Sequence, residues 1–345
     1  MRKITKTLFA VLSSFALSVS AFAGDLNVSG SATATYTIGG ATQHASKALG
    51  ISNELNFTGS GELDNGYSWT YSMELDEGSS IANDDTQIKI SGDMGTFGIC
   101  ISECGLSTEL DYGVGAMGTG SDYINVGTVV WGYDVGSYNN VQYHTAEGML
   151  PFGLSASIGY VPNLSGAKGA SAKAEGTNET RLVADDATMY RIKASPADGL
   201  SIGGDFFTSS GSVVADTAQK QESGSVYAKY STGPVTVGVA ESRAAPRWTR
   251  GTASAAYRYD VTAMGLQFAV NENLSISANR EKAEKYLQGA TGLGNTSVEQ
   301  TVDSFQAAYT MGGATLGIVN TSADDANYAT GAEEEATVLS LALAF

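Results

Sequence analysis

Five carboxylates, Glu103, Glu109, Asp111, Asp122 and Asp134, fall between Ser102 and Gly136, a stretch with no lysine or arginine. The same stretch carries Gly105, Gly113, Gly115, Gly118, Gly120, Gly127, Gly132 and Gly136, which permit a tight backbone path. Basic residues stand singly between apolar ones elsewhere: Lys89 between Ile88 and Ile90, Arg191 and Lys193 among Tyr190, Ile192 and Ala194, and Lys229 between Ala228 and Tyr230. Charges of these kinds steer and hold ions. His44 and His144 are the only histidines. No nucleophile elbow, metal-ligand pair or phosphate-binding loop occurs, so no enzyme is expected.

The elements that position these charges begin with the export signal. MRKITKTLFAVLSSFALSVSAFAGD has a basic start, an apolar run and Ala21-Phe22-Ala23 before Gly24. It reads as a secretory signal peptide over residues 1–23, too short for a spanning helix. Its removal takes Arg2, Lys3 and Lys6 from 19 basic residues and shifts the formal charge from -17 to about -20. Such acidity argues against nucleic acid as a partner. No later apolar stretch approaches the ~20 residues of a transmembrane helix. Cys100 and Cys104 are the only cysteines. Four residues apart, they bridge only across a tight loop, so a disulfide and a pair of buried thiols both remain open.

From residue 24 onward the recurring signal is period two. Leu26, Val28, Gly30, Ala32, Ala34, Tyr36 and Ile38 share one face of a first segment. Leu55, Phe57 and Leu63 share a face of the next, which turns at Asp64-Asn65-Gly66 into Tyr67, Trp69, Tyr71, Met73 and Leu75. Asp-Asn-Gly between alternating runs predicts a hairpin. The unit of two strands, a short turn and a longer polar loop repeats to the end, where ATVLSLALAF alternates into Phe345. The tally is sixteen strands. An even number, with short turns at one end and long loops at the other, lets the first and last strands pair and close a barrel without edges.

Soluble sandwiches and adhesins also alternate, but their apolar face turns inward. Here the opposite phase holds Lys89, Arg191, Lys193 and Lys229, which would be costly to bury away from water. Aromatic residues gather toward strand ends at Tyr36, Tyr67, Trp69, Tyr160, Tyr190 and Tyr230, as in an interfacial girdle. The expected fold is therefore all-β: a transmembrane antiparallel barrel over residues 24–345, its apolar phase in outer-membrane lipid and its polar phase in channel water. His144, opposite Val141 and Tyr143 in phase, reads as lumen-lining. Arg243 and Arg258 have ambiguous phase, because the alternation slips around Tyr257 to Val270 as a bulge would make it.

Three features are similar to the sixteen-stranded general porins of Gram-negative bacteria, particularly the alphaproteobacterial type. They are the closing strand ending in Phe345, GTFGI at Gly95 to Ile99 before the longest mid-chain loop, and SYNNVQYHT at Ser137 to Thr145 after it. The resemblance implies a homotrimer, folded with the help of barrel-assembly machinery that reads the terminal strand. It implies that residues 102–136 fold inward as a constriction loop. Glu103, Glu109, Asp111, Asp122 and Asp134 would then face a basic wall drawn from Lys89, Arg191, Lys193 and Lys229, although few arginines are present to make that wall dense. Some such proteins hold calcium near the constriction; no cofactor is otherwise expected, and no spacing here specifies a calcium site. The implied function is passive diffusion of ions and small hydrophilic solutes with cation preference. The alternatives are a substrate-selective channel of the same architecture and a non-conducting secreted all-β binding or structural protein.

Overall fold

The computed structural model describes residues 24–39, 47–76, 82–164, 186–210, 217–249, 256–289 and 292–345. The signal-peptide reading of residues 1–23 and His44 lie outside them. The strands are β1 (Asp25–Gly39), β2 (Lys47–Glu62), β3 (Ser68–Asp76), β4 (Ala82–Gly92), β5 (Gly95–Ile101), β6 (Asn140–His144), β7 (Ser155–Val161), β8 (Ala187–Ala197) and β9 (Leu200–Ser209). They continue with β10 (Thr217–Gln219), β11 (Glu222–Thr232), β12 (Val235–Ala245), β13 (Trp248–Thr249), β14 (Ala256–Ala269), β15 (Leu274–Gly289), β16 (Gly292–Met311), β17 (Ala314–Asp324) and β18 (Glu333–Ala344). Sixteen of them form a closed antiparallel barrel, and β10 and β13 form a separate two-stranded ribbon.

The expected closure is observed. β1 pairs with β18 from Ser31 opposite Ala344 to Gly39 opposite Ala336. Leu339, Leu341, Leu343 and Phe345 face outward and are exposed, while Val338 and Ser340 face inward and are buried. The Asp64-Asn65-Gly66 turn joins β2 to β3, with Gly66 at φ +81°, a left-handed conformation that glycine adopts without a Cβ clash. Trp69 and Tyr67 lie over outward-facing glycines: a Cβ on Gly61 would meet the Trp69 ring at 2.8 Å, and one on Gly92 the Tyr67 ring at 2.7 Å.

Two strands run much farther than their apolar alternation. β15 and β16 continue to Gly289 and back from Gly292, where apolar periodicity alone would stop near Asn279 and resume at Phe305. Outward charges there pair across the ladder. Arg280 donates to Asp303 twice at 2.7 Å, and Lys282 meets Glu299 at 2.9 Å. Arg243 and Arg258 belong to the same outer surface: both reach Asp260, at 2.8 Å and 3.2 Å, and Arg258 stacks 3.7 Å from the Tyr286 ring centroid. Exposed pairs contribute only ~0.2–1 kcal/mol each, yet they give an outward face above the apolar band a reason to stay extended. The register shift lies between Ala256 and Arg258. Beyond it, pairing runs unbroken to Ala269; Val261 and Ala263 face inward and are buried.

Candidate functional site

The barrel's buried apolar residues gather where the long segment after β5 lies against the inner wall. This segment leaves the wall after Ile101 and rejoins it at Asn140. Its root is tied twice. Cys100 and Cys104 form a disulfide, and Ser102 and Cys104 take left-handed backbone angles, φ 54° and 68°, to close that short loop. The Asn140 amide then donates to the carbonyls of Glu103, Val135 and Tyr138 at 3.0, 2.9 and 2.9 Å, joining the two ends of the loop.

Three apolar seats hold the loop inside. Leu106, Val135 and Tyr138 pack with Val161, Met189 and Phe207 on β7 to β9. Tyr112 and Val114 pack with Tyr227, Ala240 and Ala263 on β11 to β14. Ile124 and Val126 pack against Val302, Ala323 and Ala326 near β16 and β17. The wall is hollowed to receive them by missing side chains. A Cβ on Gly238 would strike the Tyr112 carbonyl, one on Gly265 the Val114 side chain, and one on Gly317 the Met117 side chain.

Between the seats, carboxylates capture loop N–H groups that have no sheet partner. Asp205 on β9 accepts from Thr108 N at 2.7 Å and Thr108 Oγ1 at 2.8 Å. Glu281 on β15, only 1% exposed, accepts from Gly120 N at 2.6 Å and Ser121 Oγ at 2.5 Å. Gln306 accepts from Met117 N at 2.8 Å and donates to the Gly118 carbonyl at 2.9 Å. The loop thus lines the wall from β7 round to β17. Its residues 122–125 then face β1 and β18 across a cavity of about 460 Å³ that Thr35, Thr37 and Glu334 also line.

The five acids of the loop occupy different settings. Asp134 holds the loop's own fold, accepting from Leu106 N at 2.9 Å, Ser107 N at 2.7 Å and Gly136 N at 2.8 Å. Asp111 pairs with Lys193 at 2.8 Å. Burial lifts the Glu109 carboxyl to about 7, and the Asp205 and Asp134 charges add to the rise. Asp122 is exposed beside the cavity and accepts from Thr119. Glu103 lies at the loop root near Asn56, Glu74 and Asp85 of the β2–β4 wall.

All four bases of the wall face inward, on β4, β8 and β11, and only Lys193 reaches an acid of the loop. Among the described residues no ion pair engages Lys89, Arg191 or Lys229. Arg191 Nη2 donates to Ser157 Oγ at 3.3 Å, and the same hydroxyl shares a 2.9 Å hydrogen bond with His144 Nδ1. Among the described residues, no three His, Cys, Asp or Glu side chains converge as a metal site. Asp205 and Glu281 were not singled out by composition. Their inward phase on the strands was the available signal, but only the loop's path shows what they hold.

A closed sixteen-stranded barrel, apolar outside and lined within by an anchored polar loop, defines a transmembrane channel of the outer-membrane type. The model of the Gram-negative porin family matches residues 7–345, and the chain belongs to that family. Its fold is similar to the anion-selective porin from Comamonas acidovorans, at TM-score 0.66 and 13% identity over 93% of this chain and 100% of that one. It is also similar to Salmonella typhi OmpF in complex with daunomycin, at TM-score 0.65 and 13% identity over 95% and 99%. Vibrio cholerae OmpT lacking loop L8 aligns at TM-score 0.64 and 12% identity over 94% and 100%. A search of curated proteins returns no match. Family and fold make the chain an outer-membrane channel for small solutes, in a family of channel proteins rather than enzymes.

Proposed function

We propose that the chain is a general diffusion porin of the alphaproteobacterial type, working as a homotrimer and passing small hydrophilic solutes with a preference for cations. The observation that carries this reading is the acid-bearing loop fastened inside a closed barrel. It carries Glu103, Glu109, Asp111, Asp122 and Asp134 into the lumen region and brings no base with it. Lys193 offsets Asp111, leaving the exposed Asp122 and the half-buried Glu103 to weight the passage toward cations. Charges lining a narrow aqueous path discriminate by sign because low-dielectric walls concentrate their field. A trimer form is described for Vibrio cholerae OmpT, and assembly of the same kind is proposed here.

Reversal potentials across a planar bilayer under a potassium chloride gradient test the preference. A potential of the sign set by potassium, shrinking as salt rises, supports it. A potential of the sign set by chloride overturns it and gives the unpaired Lys89, Arg191 and Lys229 control of the passage instead.

A further inference from the structure

One residue of the inner loop contradicts its surroundings. Along residues 106–114, Leu106, Thr108, Tyr112 and Val114 are all buried against the wall, but Leu110 is 52% exposed. Two successive turn bonds swing it away: Asp111 N donates to the Thr108 carbonyl and Gly113 N to the Leu110 carbonyl, each at 3.0 Å. Because both flanks are pinned to the inner wall, by Thr108 on Asp205 and by Tyr112 on β11 to β14, the exposed side chain points into lumen water. No other large apolar side chain of residues 102–139 is exposed.

The neighbours of Leu110 make its isobutyl group the main surface offered at this point. Asp111 is engaged with Lys193 at 2.8 Å. Glu109 is half-buried and feels the charges of Asp205 and Asp134. A passing solute therefore meets an apolar knob beside a balanced ion pair, where a uniformly charged rim would have offered only polar contacts. Contact with such a knob removes apolar surface of the solute from water, which favours solutes that have some.

We propose that Leu110 is a specificity-determining residue of the channel, favouring small amphipathic cations that carry an aliphatic or aromatic flank beside the charge. This rests on the channel reading above. The knob lowers the barrier for an alkylammonium relative to ammonium itself, while the ion pair beside it leaves the charge requirement of the passage unchanged.

The test compares butylammonium with ammonium, two probes of equal charge, by their permeability ratio in bilayers holding the wild-type protein, Leu110→Asn or Leu110→Ala. Asparagine keeps the size and loses the apolar surface. One methylene withdrawn from water corresponds to roughly a fourfold preference, and contact at a half-exposed side chain realises part of it. The butylammonium ratio is expected to fall about two- to fourfold in Leu110→Asn and in Leu110→Ala alike, with heat-stable barrel intact. An unchanged ratio overturns the proposal. So does a rise in both permeabilities in Leu110→Ala alone, which would make the residue a steric plug. A wild-type protein that conducts neither ion fails the channel reading itself, and that failure is distinct.

Discussion

Gly30 and Phe345 exchange two backbone hydrogen bonds, Gly30 N to the Phe345 carbonyl at 2.8 Å and Phe345 N to the Gly30 carbonyl at 3.0 Å. The phenyl ring lies where a side chain on residue 30 would be, 2.8 Å from the position of a Cβ. The last residue of the chain is thereby the last rung of the closing seam.

Deleting Phe345 removes that rung and the ring that covers Gly30, and Gly30→Leu expels the ring while leaving the chain length intact, although it also crowds Glu54 and Leu55 of β2. Both variants are expected to lower the yield of folded barrel severalfold, read as the heat-modifiable band on electrophoresis. The fraction that folds keeps its unit conductance, since neither residue faces the lumen. Equal yield with altered conductance would contradict this.

Gly238 and Gly265 are hollows for Tyr112 and Val114: a Cβ on Gly238 meets the inner loop, whereas one on Gly265 meets Val114 and also the Asn279 side chain of β15 at 2.6 Å. Overpacking at Gly238 costs about 1–3 kcal/mol, which falls on the loop seat rather than on the ladder of the barrel. Gly238→Val is expected to leave the barrel folded and to produce larger or noisier unit currents. Unaltered current noise and conductance would show that the loop takes its position without that seat.

The Asp111–Lys193 pair predicts opposite effects from its two halves. A unit charge about 4 Å from an ion's path is worth roughly 1 kcal/mol in water, or about fivefold in preference. Lys193→Met frees Asp111 and should raise cation preference toward that limit; Asp111→Asn frees Lys193 and should lower it by a similar factor. Both shifts should shrink as salt screens the lumen. Reversal potentials that move the same way in both variants would remove the pair from the passage.

Glu109 supplies the pH dependence. Burial, assisted by the charges of Asp205 and Asp134, holds its carboxyl at about 7. The group is charged above that value and neutral below it, so acidification from about pH 8 to about pH 6 removes one negative charge from the loop. Cation preference should decline through that window, and Glu109→Gln should show the low value throughout. A wild-type profile flat between those limits would place the carboxyl where passing ions do not sense it.

The barrel was legible because each strand writes its two environments into alternate residues, and because turns such as Asp64-Asn65-Gly66 punctuate them. Closure followed from the even count and from the unusual ending of the chain. The far halves of β15 and β16 were not legible: apolar periodicity stops where Arg280, Lys282, Glu299 and Asp303 take over the outward face. Nor was the wall's role in holding the loop. Gly238 and Gly265 look like ordinary strand glycines until Tyr112 and Val114 occupy the space above them. The loop's acids were visible as a group, but only three-dimensional packing separates Asp134, which holds backbone N–H groups, from Asp122, which meets the lumen. The slip in alternation near Tyr257 has a related cause. Ala263 faces inward beneath Tyr112 and Val114, and Val261 faces inward and is buried as well, so that phase reads as apolar.

Unit conductance in a planar bilayer bears most directly on the central claim that this barrel is an open channel threaded by its own loop. Purified protein reconstituted at low density is predicted to give discrete conductance steps grouped in threes, as three parallel pores per assembly would. A bilayer that remains ion-tight at high protein loading, with the barrel shown to be folded and inserted, would contradict it.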